Sequence, residues 1–534
     1  MNPFDYSQPF PSRRSPTLGR RGAVATSHPL AAQAGMKILM EGGNAVDAAL
    51  AAAAALTVVE PTSNGLGGDA FVLVWDGKGL YGLNASGRAP LALTPDVFHE
   101  EGLKTVPTEG WLSVTVPGAV SGWMELSRRF GSMPLMEVLK PAIEMAEEGH
   151  AVPPVIAGYW KEEEKRLGHR KDFREAFLPG GRAPRAGEVF RLPELGHTLR
   201  LIGESNGEVF YRGEIAEQIV RYAERTGGYL TLDDLRTHRA EWVDPISSSY
   251  RGFDLWEIPP NGQGITAQIA LNILEGYELG NIPQLSAWRL HLVIEALKLA
   301  FADAHAYVAD PAVVTIPVEG LLSKDYARRR RAEIKEEQAI AEAVPGLPRD
   351  GDTVYLCTAD ARGWMVSFIQ SNYLGFGSGV VVPGTGIAFQ SRGACFTLEE
   401  GHPNRLAPRK RPYHTIIPGF ITKEGVPLAA FGVMGGDMQP QGHVQVMSGI
   451  VDYGLNPQAA VDAPRVRVLG GRRVALEPGI GAETARQLAR WGHEVRLEHG
   501  MAGFGGGQMI WRDPQTGVLI CGSEPRKDGQ AVVW

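Results

Sequence analysis

The bond between Asp352 and Thr353 is where residue type and position in this 534-residue chain suggest chemistry. A polar stretch punctuated by proline and glycine, PGLPRDGD over Pro345–Asp352, runs directly into TVYLCT, which reads as a strand. Cutting the peptide bond before Thr353 leaves a free α-amine beside the threonine's own hydroxyl. An α-amine titrates near about pH 8. It can therefore take the hydroxyl proton, which is the amine-activated form of nucleophilic catalysis. Asp–Thr at a strand start is common, so these residues alone leave an ordinary structural role open.

Other glycine-rich stretches carry less. Gly65–Gly68, Gly375–Gly379 and Gly505–Gly507 contain neither a GxxxxGK[ST] nor a GxGxxG between strand and helix, which excludes a nucleotide-phosphate loop. Gly377–Ser378–Gly379 lacks the GxSxG spacing of a serine nucleophile elbow. The 13 histidines show no HExxH, and His28, His291 and His305 read as structural. Cys357, Cys395 and Cys521 form no CxxC pair and imply neither a disulfide framework nor a zinc knuckle. No metal or organic cofactor is implied.

The elements that must position Thr353 alternate irregularly along the chain, as in a layered α/β protein. Residues 1–21 read as a flexible leader. Asn44 caps an alanine-rich helix that Pro61 ends. Phe71 to Leu83 reads as a strand pair turning at Asp76–Gly77. Pro141 is expected to open a helix, and Leu290–Val308 reads as a long amphipathic helix with Leu290, Val293, Ile294, Leu297, Phe301 and Ala304 on one face. Thr353–Thr358 and Trp364–Gln370 read as consecutive strands turning between Asp360 and Gly363, followed by a tight strand-and-turn region over Gly375–Gly386.

With 53 basic against 60 acidic residues, the net charge of −7 offers nothing general to nucleic acid or an anionic membrane. The run Arg328–Arg331 is offset by Glu333, Glu336 and Glu337 and reads as a solvated helix face. No apolar run resembles a signal-peptide core, and Ala45–Val59 is too short to span a bilayer. The expected location is cytoplasmic.

From about Gly22 onward the chain resembles the gamma-glutamyltransferase family of N-terminal nucleophile hydrolases. The resemblance rests on long motifs: ATSHPLAAQAGMKILMEGGNAVDAALAAAAAL, VVEPTSNGLGGDAFVLVWD, VPGAVSGW, LKPAIEMAEEGHAV, EALKLAFADAHAYVADP and GGGQMIWRDPQTGVLICGSEPRKDGQ. It implies a four-layered αββα sandwich, cut by the chain itself into a large subunit, residues 22–352, and a small catalytic subunit, 353–534, that stay together as one unit. It also implies that Thr353 is both processing residue and nucleophile, that Ser371 polarises it, and that Gly435 and Gly436 supply oxyanion amides.

The donor-binding positions depart from the family pattern. The serine pair that holds a donor carboxylate is His414–Thr415 here. The clamping arginine falls at Ser86, with Arg88 two residues on; an expected asparagine is Tyr373; and Ser391–Phe396 carries no carboxylate. Arg392 and Arg88 suit a donor carboxylate, as in the acylase-like branch of the superfamily. The expected activity is acyl transfer from a γ-glutamyl amide to water or an amino acid. The alternatives are a glutaryl- or cephalosporin-type acylase with the same mechanism, and an uncut, non-catalytic binding protein.

Overall fold

The computed structural model describes residues 14–341, 352–498 and 503–534. Most of the expected processing loop, residues 345–351, lies outside the described residues.

Two seven-stranded sheets, each antiparallel throughout, lie face to face. The first runs in space as Glu241–Val243, Leu80–Ala85, Asp69–Trp75, Met365–Tyr373, Asp352–Asp360, Gly22–Thr26 and Gln530–Val533. The second runs as Thr17–Gly19, Leu519–Ser523, Gly506–Arg512, Val426–Met434, Gly419–Lys423, Phe253–Glu257 and Ile246–Tyr250.

Alternation along the central strand shows how the layers form. Tyr355, Cys357 and Ala359 point between the sheets and meet Phe420, Ala430, Met434, Ile510 and Cys521. Val354 and Leu356 point the other way, into a core with the helices Pro29–Met40, Ala45–Val59, Ala119–Phe130 and Leu135–Glu148. The outer face of the second sheet packs on Gly264–Leu274, Ala287–Tyr307 and Met438–Tyr453. Period-two side chains buried on both faces give the αββα sandwich expected from the sequence.

The alanine-rich helix Ala45–Val59 is buried along its whole length, which small side chains permit by letting neighbours approach closely. Asn44 and Asp47 form a reciprocal capping box at its start. Three expectations change. The helix expected to open at Pro141 begins at Leu135, and Pro141 sits inside it. Ala287–Tyr307 is not half-exposed: residues 289–304 are buried, with Lys298 Nζ paired to Glu295 Oε1 at 2.7 Å and Asp303 to Arg330. Helical spacing of apolar residues cannot show that a second layer covers the polar face. Finally, the leader is not all loose, because Thr17–Gly19 pairs with Leu519–Cys521 as an edge strand.

Cys357 and Cys521 are buried free thiols between the sheets, and Cys395 is also free. Among the described residues, no helix is long and apolar enough to cross a membrane.

Candidate active site

Thr353 and Ser371 come together through strand register. They lie on neighbouring antiparallel strands whose pairing slips between Asp352 and Val354, where a bulge interrupts the ladder. Such a bulge re-aims a side chain without breaking the sheet. Ile369, two residues before Ser371, points into the space between the sheets. Thr353 is 1 % exposed, and its Oγ1 donates to Ser371 Oγ at 3.1 Å.

Around these hydroxyls stand polar donors. The Tyr373 amide donates to Ser371 Oγ at 2.8 Å, and Arg392 Nη2 does so at 3.3 Å. Gln439 Nε2 donates to Thr353 Oγ1 at 3.4 Å. Two of these donors converge on Ser371 Oγ, the oxygen that accepts the Thr353 hydroxyl, and Gln439 meets Thr353 Oγ1 itself.

The second sheet supplies Gly435 and Gly436 where Val426–Met434 ends and the helix Met438–Tyr453 begins. Their φ angles of +117° and +57° are left-handed, which glycine adopts at little cost. A Cβ on Gly435 would also lie 3.1 Å from Gly505 Cα. The Gly436 carbonyl accepts from Gln263 Nε2 at 3.0 Å, and the same nitrogen donates to Thr415 O at 2.6 Å. Gln263 thereby ties the glycine turn to the segment carrying His414 and Thr415.

Arg392 lies in a short turn, Arg392–Cys395, and is fully buried. Its Nη1 donates to Thr415 Oγ1 at 2.7 Å, and its guanidinium stands 4.6 Å from the centre of the Tyr373 ring. Among the described residues Nε has no hydrogen-bond partner.

The neighbouring acid is Asp69, whose Oδ2 is 3.0 Å from His414 Nε2 and whose Oδ1 accepts from the Gly87 amide at 3.0 Å. Burial raises the Asp69 carboxyl to about 7, with the charge of Arg392 opposing the rise. Burial, aided by Arg392 and Arg411, holds His414 well below the usual imidazole range. His414 is thus a neutral ring that packs on Phe71 at 4.8 Å and serves Asp69.

Of the residues singled out by sequence, the structure brings together Thr353, Ser371, Tyr373, Arg392 and Thr415, with Gly435 and Gly436 joined to Thr415 through Gln263. Arg88 stands apart, paired with Glu241 at 2.9 Å and Asp310 at 3.1 Å. His414 contacts Asp69 rather than the Thr353 group. Sequence reasoning passed over Gln263, Gln439 and Asp69. Gln439 lies in GVMGGDMQPQG and Asp69 in GLGGDAF, so both fell inside motifs already noted. Thr353 and Gly435 also border a cavity of about 460 Å³ whose other walls include Tyr159, Arg467 and Lys527.

The gamma-glutamyltranspeptidase family profile matches residues 31–534. A solved cephalosporin acylase from Bacillus halodurans is 53 % identical and superposes with a TM-score of 0.96, covering 100 % of this chain and 99 % of its own. The "glutathione hydrolase-like YwrD proenzyme" of Bacillus subtilis is 39 % identical, over 96 % of this chain and 99 % of its own. The "acylase ACY 1 proenzyme" of Pseudomonas sp. strain V22 is 36 % identical over 97 % of both chains. A buried threonine hydroxyl at a strand bulge, a glycine turn beside it and this match along nearly the whole chain place the protein in the gamma-glutamyltranspeptidase family of N-terminal nucleophile hydrolases.

Proposed function

We propose that the chain cuts itself between Asp352 and Thr353 and then uses Thr353 to transfer the acyl group of a γ-glutamyl-type amide to water or an amine. The observation that carries this reading is the Thr353 Oγ1–Ser371 Oγ hydrogen bond at the bulged start of the strand Asp352–Asp360.

In processing, Thr353 Oγ attacks the Asp352 carbonyl carbon and the C–N bond breaks. The acyl group moves from nitrogen to oxygen, and the nitrogen keeps the hydroxyl's proton. Water opens the ester, leaving a carboxylate on Asp352 and a free amine on Thr353. In turnover that amine takes the Oγ proton as Oγ attacks the donor carbonyl. The Gly435 and Gly436 amides hold the tetrahedral oxyanion, and the proton passes to the leaving amine. Water or an acceptor amine then attacks the acyl–threonine ester and regenerates the hydroxyl. No step needs a metal or an organic cofactor. The two products of processing, residues 1–352 and 353–534, share both sheets and remain one unit.

A second reading keeps the mechanism and replaces the donor by a glutaryl-type side-chain amide. Two observations favour it: Ser391–Phe396 offers no carboxylate to hold a γ-glutamyl α-amine, and the chain is 53 % identical to a cephalosporin acylase. Denaturing gels and N-terminal sequencing test the shared mechanism, since the small chain should begin TVYLCTAD. A panel of γ-glutamyl and glutaryl anilides separates the two donors.

A further inference from the structure

Gln263 is fully buried and takes no part in bond making or breaking, yet both polar atoms of its side chain are engaged. Nε2 donates to Thr415 O at 2.6 Å and to Gly436 O at 3.0 Å, and Oε1 accepts from the Tyr413 hydroxyl at 2.8 Å. That hydroxyl fixes which end of the amide faces the two carbonyls, since an amide turned over would set its oxygen against both. The backbone is held as firmly. The Gln263 amide donates to His414 O at 2.9 Å, and the His414 amide donates to Asn261 O at 2.9 Å.

The effect falls on the glycine turn. Gly435 O accepts from the Met438 amide at 2.9 Å, so it faces the start of the helix Met438–Tyr453. In a trans peptide the N–H lies opposite the C=O, so the Gly436 amide faces away from that helix. The next peptide plane is held at Gly436 O, by Gln263 Nε2 and, at 3.2 Å, by the Gln439 amide. Glycine rotates easily between two such planes, so their hydrogen bonds decide where the Gly436 amide points. Gln263 also closes a ring of contacts: Thr353 to Ser371, Ser371 to Arg392, Arg392 to Thr415, and Thr415 through Gln263 to Gly436. Thr353 and the glycine turn belong to different sheets, and this ring ties one to the other.

We propose that Gln263 is a positioning residue of the reaction, which sets the distance and direction of the Gly436 amide relative to Thr353. This rests on Thr353 being the nucleophile and on the Gly435–Gly436 turn holding the oxyanion. An amide slightly displaced still lets the donor bind but no longer meets the charge that develops on its carbonyl oxygen. Loss of Gln263 therefore acts on kcat.

The test uses the self-matured enzyme and whichever of γ-glutamyl and glutaryl p-nitroanilide the wild type cleaves faster. Gln263→Met keeps the length of the side chain and removes its hydrogen bonds. Its kcat should fall about 10- to 100-fold, with KM within about threefold of wild type. Tyr413→Phe, which frees the amide to turn over, should lose less. Gln263→Glu can donate to a carbonyl only when protonated, and the groups facing it are the Tyr413 hydroxyl and the two carbonyls. Its kcat relative to wild type should therefore be lowest at about pH 8.5 and recover towards about pH 5.5. The losses in Gln263→Met and Gly436→Ala should not multiply in the double variant, because both act through one amide. Two bands on a gel and the melting temperature show that each variant matures and folds; where Gln263→Met stays uncut, Tyr413→Phe and Gln263→Glu decide the question. A raised KM at constant kcat, an unchanged kcat, or losses that multiply in full overturn the proposal and leave the amidohydrolase reading intact. A wild-type chain that is never cut and cleaves neither anilide sinks that reading, and the proposal with it.

Discussion

The two sides of the nucleophile are built from different materials. On the Thr353 side, hydroxyls, amide groups and a glycine turn do most of the positioning, with Arg392 Nη2 the charged donor that reaches Ser371 Oγ. Beyond Ser371 stand Arg392, Asp69 and His414, all buried and all ionisable. A site made of backbone and register is insensitive to charge but intolerant of small geometric change. A site made of buried charge tolerates small shifts, yet its energy follows every change in protonation or pairing.

The largest effect should come from Thr353→Ala. It removes both the attacking oxygen of processing and the nucleophile of turnover, so a single full-length band and no measurable amide hydrolysis are expected on denaturing gels and in donor assays. Partial cleavage in this variant would move the processing chemistry to another residue and erase the contrast.

Next comes Gly436→Ala. The amide at this position is assigned to charge that develops only in the transition state, so kcat should fall on the order of 100-fold with KM little changed. The φ of +57° adds strain for a side chain, so the melting temperature must be measured alongside. A rise in KM at constant kcat shows instead that the turn merely shapes the pocket.

Asp69→Asn addresses the charged side through pH. The Asp69 carboxyl is raised from 3.8 to about 7 in the folded chain. Its stabilising protonated form is fully present below the unfolded value and is lost as pH rises through about 7. Wild type should thus lose on the order of 3–4 kcal/mol from this group between pH 4 and pH 8. The asparagine variant does not titrate, so its melting temperature should gain on wild type between pH 5.5 and pH 8.5. A constant gap across that range shows that Asp69 is ionised throughout, held by Arg392 and the backbone amides.

Arg88→Ala should have the smallest effect on turnover. Its partners are Glu241 and the buried Asp310, so a stability loss of about 1–3 kcal/mol is expected with donor KM nearly unchanged. A large rise in KM would return Arg88 to the donor site and blur the division between the two regions.

Much of the machinery could be read along the chain. The strands flanking Thr353, the capping box at Asn44, and the glycine pair followed by a helix all depend on neighbours within a few residues, and so does the turn joining Asp352–Asp360 to Met365–Tyr373. The start of the helix containing Pro141 could not be placed, because proline is as compatible with a helix whose earlier turns are held by packing. The burial of Arg289, Glu295 and Lys298 on Ala287–Tyr307 was hidden for a related reason: a polar helix face is identical in sequence whether water or another layer covers it.

Sequence singled out Thr353 by its place after a polar loop, and Ser371, Gly435 and Gly436 through the resemblance of its long motifs to a known family. Tertiary structure decided which of them share a space. The register shift opposite Thr353, where Gln370–Tyr373 carries one residue more than Asp352–Val354, sets Ser371 against Thr353, and strand register is a property of pairing that no single segment carries. It likewise assigned the two arginines, giving Arg88 to Asp310 and Glu241 and setting Arg392, among the described residues, against the hydroxyls of Thr415 and Ser371. Counter-charge is set by what lies within a few ångströms in space, and in this chain those partners are separated from the arginines by tens to hundreds of residues.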